Sequence, residues 1–310
     1  MFDRGGLPSA VTIYEVGPRD GLQNETVILP TAVKVELIKR LAASGLPAIE
    51  ITSLVRPDKV PALADAEELL SALAPLLDSH RMIALVPNQR GLDRALSAGV
   101  REVAVFASAT ESFAKANLNS TVAESLATYR PVIEQARAAG LLVRGYISMC
   151  FGDPWEGKVS TDQVTRVAES LFEFGITELS LGDTIGIATP GDVINVLDAF
   201  DRRKIARSSL AVHFHDTYGQ ALSNTLTALL EGITTVDASL GGLGGCPFAK
   251  SATGNLATED LIWQLQGLDI ATGVDLEALI DTSNWLSRKT GLPLRSKAAI
   301  ALSNRKDGSK

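Results

Sequence analysis

Gly45-Leu-Pro-Ala-Ile-Glu-Ile-Thr-Ser53 marks the passage from one kind of segment to another. Upstream of it, Val33, Leu37, Ile38 and Leu41 recur at helical spacing. Gly45 then supplies the residue type that closes a helix in the left-handed conformation, and an apolar run with strand character follows at once. The same junction recurs at Gly99-Val100, Gly140-Leu141, Gly175-Ile176 and Gly232-Ile233. Three more apolar strands, Val11–Val16, Met82–Val86 and Ser209–Phe214, bring the expected number to eight.

Between the strands lie helical patterns such as Val164, Val167, Leu171 and Phe172. Ser160 with Gln163 reads as a capping box, and Thr189-Pro190 places a capping hydroxyl before proline at the first helical position. Strict alternation of strand and helix implies parallel strands joined by right-handed crossovers, and eight such units close into a barrel. The expected fold is therefore α/β, a (β/α)8 TIM barrel with extra C-terminal helices. It is read as one domain over 1–310: a barrel over about 11–240, a loop and helices over about 241–303, and a disordered polar tail at 304–310. A doubly wound open sheet would carry a Gly-rich phosphate turn after its first strand, and Gly17-Pro-Arg-Asp-Gly21 is not one.

The chain has 310 residues, against about 250 for a bare barrel. With 45% hydrophobic and 21% charged residues, and no apolar run near the roughly 20 residues that span a bilayer, it reads as neither membrane-embedded nor membrane-binding. A net charge of −7 without basic runs argues against nucleic acid as a partner. Two cysteines, Cys150 and Cys246, are too few for a disulfide framework and lack the spacing of a structural zinc site. No secretion or organelle signal is visible in Met1–Ala10, so a cytoplasmic location is expected.

In a TIM barrel the chemistry sits at the C-terminal ends of the strands, which makes polar groups there the candidates. His213 and His215 lie two apart on a strand and so face the same way, toward the barrel axis. Two inward imidazoles bind a divalent cation when a carboxylate and neutral oxygens complete the shell, and Asp20 and Asn255 are placed to do so. A lone histidine is more often a satisfied core residue, but two of this chain's three histidines occupy this one place. Glu50 sits inside the apolar run Ala48–Ile51 and needs a partner, for which Arg19 is the candidate. Asp183 is weighed equally as a turn cap. Cys246 is either an inert buried thiol or a proton-transferring group, and Cys150 and His80 are read as structural.

Taken in order, Val16–Glu25, Glu50–Ser53, Arg144–Tyr146, Glu156–Lys158, Ser180–Gly186, Ala211–Gln220, Gly241–Ala249 and Gly254–Asp260 resemble the 3-hydroxy-3-methylglutaryl-CoA lyase family. This resemblance implies cleavage of that acyl-CoA substrate to acetyl-CoA and acetoacetate with Mg²⁺ or Mn²⁺. It also implies Asp20, His213, His215 and Asn255 as metal ligands, Arg19 as the group stabilising the enolate oxygen, and Cys246 as a proton donor or acceptor. Glu50, Asp183 and Glu259 become supporting active-site residues. Ser53, Ser180 and Thr184 become contacts to the acyl portion of the substrate, and a homodimer is expected. Rival readings are a lyase for a longer 3-hydroxy-3-alkylglutaryl-CoA, a Claisen-type synthase of the isopropylmalate or homocitrate kind, and an inactive barrel that serves as a binding protein.

Overall fold

Alternation along the first strand, β1 (Thr12–Glu15), sends Ile13 outward into a large apolar core and Tyr14 inward to a second, smaller one. The computed structural model, which describes residues 5–245 and 254–307, repeats this division around a closed ring. The ring consists of β1, β2 (Ala48–Ser53), β3 (Arg81–Leu85), β4 (Glu102–Ser108), β5 (Leu142–Ser148), β6 (Glu178–Asp183), β7 (Leu210–Phe214) and β8 (Thr235–Ala238). Every neighbouring pair is parallel, and β8 closes on β1 through Thr12↔Thr235 to Glu15↔Ala238. The eight-stranded barrel expected from the junctions is the observed one.

Helices α1 (Thr31–Ala43), α2 (Ala66–Leu77), α3 (Gln89–Ser97), α4 (Glu111–Leu118), α5 (Val122–Ala138), α6 (Thr161–Phe174), α7 (Pro190–Arg202) and α8 (Ala221–Leu230) form the crossovers. A small antiparallel hairpin, Gly152–Asp153 with Gly157–Lys158, is inserted before α6. The five junction glycines have φ between +77° and +110°, the conformation that a side chain disfavours and that turns each helix back into a strand. The capping boxes at Ser160 and Thr189 are both present.

The barrel interior departs from the usual branched apolar filling. Arg144 is fully buried there, with Nη1 and Nη2 donating to Asp237 at 3.0 and 2.6 Å and Nε to Glu178 at 2.7 Å. Its guanidinium lies 3.7 Å from the centre of the Tyr14 ring. Below it Arg81 pairs with Glu102, which also accepts from the Tyr14 hydroxyl. Charge can fill this interior because each buried ion has a partner.

After β8 come α9 (Thr258–Gly267), α10 (Leu276–Thr290) and α11 (Lys297–Asp307). The expectation of a disordered tail from residue 304 is corrected as far as Asp307. Asp260 accepts from Ser296 Oγ and from the backbone N–H groups of Lys297 and Ala298, which anchors the start of α11 and lets the polar sequence continue as helix. No described helix is long and apolar enough to cross a membrane.

Candidate active site

The strand β1 gives way to a single π-type turn, Gly17–Gly21, that lifts Arg19 and Asp20 over the C-terminal mouth of the barrel. Its opening is pinned by Glu15, whose Oε1 accepts from the N–H groups of Gly17 and Leu240, both at 2.8 Å. From β7 and its continuation come His213 and His215, with Nε2 atoms 3.3 Å apart. One ligand atom from each of Asp20, His213 and His215 lies within 4.8 Å of the others.

Asn255, in a bridge opposite His215, completes the group. Its Nδ2 donates to Asp20 Oδ2 at 2.9 Å and to Leu243 O at 3.0 Å. Its Oδ1 is buried and has no hydrogen-bond partner among the described residues, and the same is true of His215 Nδ1. An oxygen buried at the cost of its hydrogen bonds, beside a carboxylate and two imidazoles, fits a divalent cation that prefers mixed oxygen and nitrogen donors.

Arg19 is held from two sides. Its Nε donates to Glu50 Oε2 at 2.8 Å, Nη2 forms an ion pair with the same oxygen at 2.7 Å, and Nη1 donates to Asp20 Oδ1 at 2.8 Å. The Tyr146 hydroxyl donates to the same Glu50 oxygen at 3.2 Å, and the other oxygen, Oε1, is buried without a partner among the described residues. The register of β2 against β3 shifts between Glu50 and Thr52, an irregularity of the kind that re-aims side chains near sites.

The electrostatics separate the two histidines. Burial and the neighbouring His213 push His215 down to about 4, so it is a neutral imidazole near neutrality. Burial also opposes charge on His213, but Asp237 and Asp20 outweigh it and raise its value. Burial alone would raise the Asp20 carboxyl, yet Arg19 and the two imidazoles hold it below the ordinary range. Asp237, against the cost of burial, is brought to about 2 chiefly by Arg144 and His213.

Not every residue singled out in the sequence faces this cluster. Asp183 accepts from the N–H groups of Ile187 and Ala188, the turn-capping arrangement. Glu259 accepts from Gly241 N, supporting the Gly-rich stretch from outside the barrel mouth. Ser180 donates to Asp237 Oδ2, and Thr184 accepts from Met149 N. Ser53 Oγ is buried with no partner among the described residues. Cys246 lies outside the described residues. Cys150 is buried and bonds to Ile147 O, in keeping with a structural thiol.

The residues that sequence reasoning missed are Asp237 and Glu15. Each is a carboxylate within an apolar strand, the same signal that drew attention to Glu50, and each turns out to hold a neighbouring functional segment in place.

The model of the HMGL-like family matches residues 10–286. The mitochondrial hydroxymethylglutaryl-CoA lyase of Arabidopsis thaliana is 52% identical over 97% of the chain, which spans 64% of that relative's length. The crystal structure of the Bacillus subtilis HMG-CoA lyase superposes with a TM-score of 0.93 at 47% identity, covering 96% of this chain and 99% of that one. An Acinetobacter baumannii HMG-CoA lyase, solved with coenzyme A and 3-methylmalate, gives 0.87 at 36% identity, with 94% and 95% covered. Curated relatives carry both mitochondrial and cytoplasmic names. With a family model matched over most of its length and lyases alike along nearly all of it, the chain belongs to the HMGL-like family, among the hydroxymethylglutaryl-CoA lyases.

Proposed function

We propose that the chain cleaves 3-hydroxy-3-methylglutaryl-CoA to acetyl-CoA and acetoacetate, using Mg²⁺ or Mn²⁺ held by Asp20, His213, His215 and Asn255. The observation that carries this is the buried, unpartnered Asn255 Oδ1 beside the Asp20 and histidine cluster, next to a guanidinium fixed by two carboxylates.

A divalent cation bound there supplies Lewis acidity that lowers the pKa of the substrate's C3 hydroxyl. Loss of that proton to a base lets the C3–O bond become the ketone of acetoacetate. The electrons of the C2–C3 bond pass to the thioester, whose enolate takes a proton at carbon to give acetyl-CoA. Negative charge develops on the thioester oxygen, and Arg19 is assigned to meet it. Because Glu50 and Asp20 already fix its orientation, little reorganisation is needed when charge appears. Ser53, Ser180 and Thr184 are assigned to the acyl portion, with Glu50, Asp183 and Glu259 as supports. Cys246 is assigned the proton transfer at carbon.

The test is a coupled assay for acetyl-CoA and acetoacetate with Mg²⁺, with Mn²⁺ and with EDTA. Metal-dependent release of both products near a typical turnover of about 10 s⁻¹ is expected. Absence of both products with every metal would overturn the substrate assignment.

A further inference from the structure

The chain crosses itself just beside the metal-ligand candidates. The outgoing stem, Leu240–Gly245, and the returning stem at Gly254–Asn255 pass so closely that a Cβ on Gly254 would fall 2.0 Å from Gly242 O. A Cβ on Gly244 would fall 2.7 Å from Asn255 Nδ2 and 3.3 Å from Asp20 O. The backbone of Gly244 is thus wedged between two of the proposed ligands. Wherever that stem sits, the Asn255 amide must follow.

Side chains from two distant parts of the chain hold the stem there. Glu25, just beyond the turn that carries Asp20, accepts from Gly244 N at 3.1 Å through Oε1. Asn24 Nδ2 donates to Gly245 O at 2.9 Å. Arg295, from the connection between α10 and α11, grips Glu25 with Nη1 at 2.6 Å from Oε1 and Nη2 at 3.4 Å from Oε2. The backbone N–H of Arg295 also donates to Gly241 O at 3.0 Å. The Glu25 side chain is only 7% exposed, Arg295 is its ionic partner among the described residues, and the pair is shielded on the carboxylate side.

We propose that Arg295 and Glu25 are positioning residues for the metal site, acting through Gly244 and Leu243 to aim Asn255 Oδ1 at the cation. The inference rests on Asn255 being a ligand. Leu243 O and Asp20 Oδ2 take the amide's two N–H groups, which fixes the amide plane and leaves Oδ1 buried without a partner among the described residues. Freeing the stem removes the Leu243 constraint and lets the amide rotate. The Arg295 side chain bonds to Glu25 and Gly242 O and to none of the four proposed ligands. It acts at two removes, as outer partners of metal ligands do when they set ligand orientation.

The experiment is a titration of the metal-stripped full-length protein with Mn²⁺, reading free Mn²⁺ by electron paramagnetic resonance. The variants are Arg295→Met, Arg295→Lys, Asn255→Ala and the double variant Arg295→Met/Asn255→Ala. Arg295→Met is expected to weaken Mn²⁺ binding about tenfold, the lower end for loss of an outer partner. Arg295→Lys should restore most of that loss. In the Asn255→Ala background, Arg295→Met should have no further effect, because the group it positions is gone. Strictly additive losses, or unchanged Mn²⁺ binding in Arg295→Met alongside weakened binding in Asn255→Ala, would overturn the positioning role. Unchanged binding in Asn255→Ala would instead overturn the ligand assignment, and the positioning role with it.

Discussion

Asp237 and His213 are register partners across the parallel strands β8 and β7, and Asp237 Oδ2 lies 3.2 Å from His213 Nδ1. Partners in parallel register face the same side, so both side chains point into the barrel. The contact turns the other ring nitrogen, Nε2, toward Asp20 and His215. Arg144 holds the same carboxylate from below and keeps it ionised. Substitution Asp237→Asn puts an amide where the carboxylate was, and its N–H can donate to Nδ1 and leave Nε2 protonated. A loss of about 10- to 100-fold in Mn²⁺ affinity is expected by calorimetry. Unchanged affinity would mean that Asp237 serves only the ion pair with Arg144.

Arg19→Lys keeps a positive charge and loses the planar fork that meets Glu50 and Asp20 together. If the guanidinium is a fixed partner for developing charge, kcat should fall about 10²- to 10³-fold while KM moves much less. Steady-state kinetics on 3-hydroxy-3-methylglutaryl-CoA decide the point. A change confined to KM would make Arg19 a binding group alone.

Glu15 and Glu259 are buried carboxyls, and burial raises both to about 7 from an ordinary value of 4.5. The folded chain keeps their protons to about pH 7, whereas the unfolded chain releases them near 4.5. Their contribution to stability is therefore complete below about 4.5 and is lost as the pH rises to about 7. Glu259→Gln cannot ionise, so its urea midpoint should gain on that of the parent between pH 5 and pH 8. A gap independent of pH contradicts the raised value.

Gly254→Ala places a methyl group 2.0 Å from a backbone oxygen of the opposing stem, which no rotation of a side chain can relieve. Either stem must move, and Asn255 is the next residue. Loss of Mn²⁺ binding is expected from a protein whose far-UV circular dichroism is unchanged, since the barrel strands are not touched. Native-like Mn²⁺ affinity would show that the stems can part without cost to the site.

Cys246→Ser replaces the thiol with a far weaker acid at the position assigned to proton transfer at carbon. A drop in kcat with Mn²⁺ affinity intact is expected. Full activity in the product assay would remove the thiol from the mechanism.

Most of the architecture was legible locally. A glycine that ends a helix carries its own reason in the left-handed conformation it adopts, so Gly45, Gly99, Gly140, Gly175 and Gly232 announced five strand entries without any distant information. The period of two along β7 likewise put His213 and His215 on one face. Residue chemistry also pointed Glu50 toward Arg19, because a carboxylate in an apolar strand needs a cation, hydrogen-bond donors or a proton of its own.

What no local pattern could disclose is which partner each buried polar group finds across the barrel. Asp237 reaches both Arg144 and His213 only because β8 stands in register with β7 and across the interior from β5. Glu25 meets Arg295 across 270 residues, and Asn255 meets Asp20 across 235. The identities of the candidate-site residues are written in short stretches whose physics is local. Their orientation depends on ring closure, which brings together atoms whose separation along the chain carries no information about their distance in space.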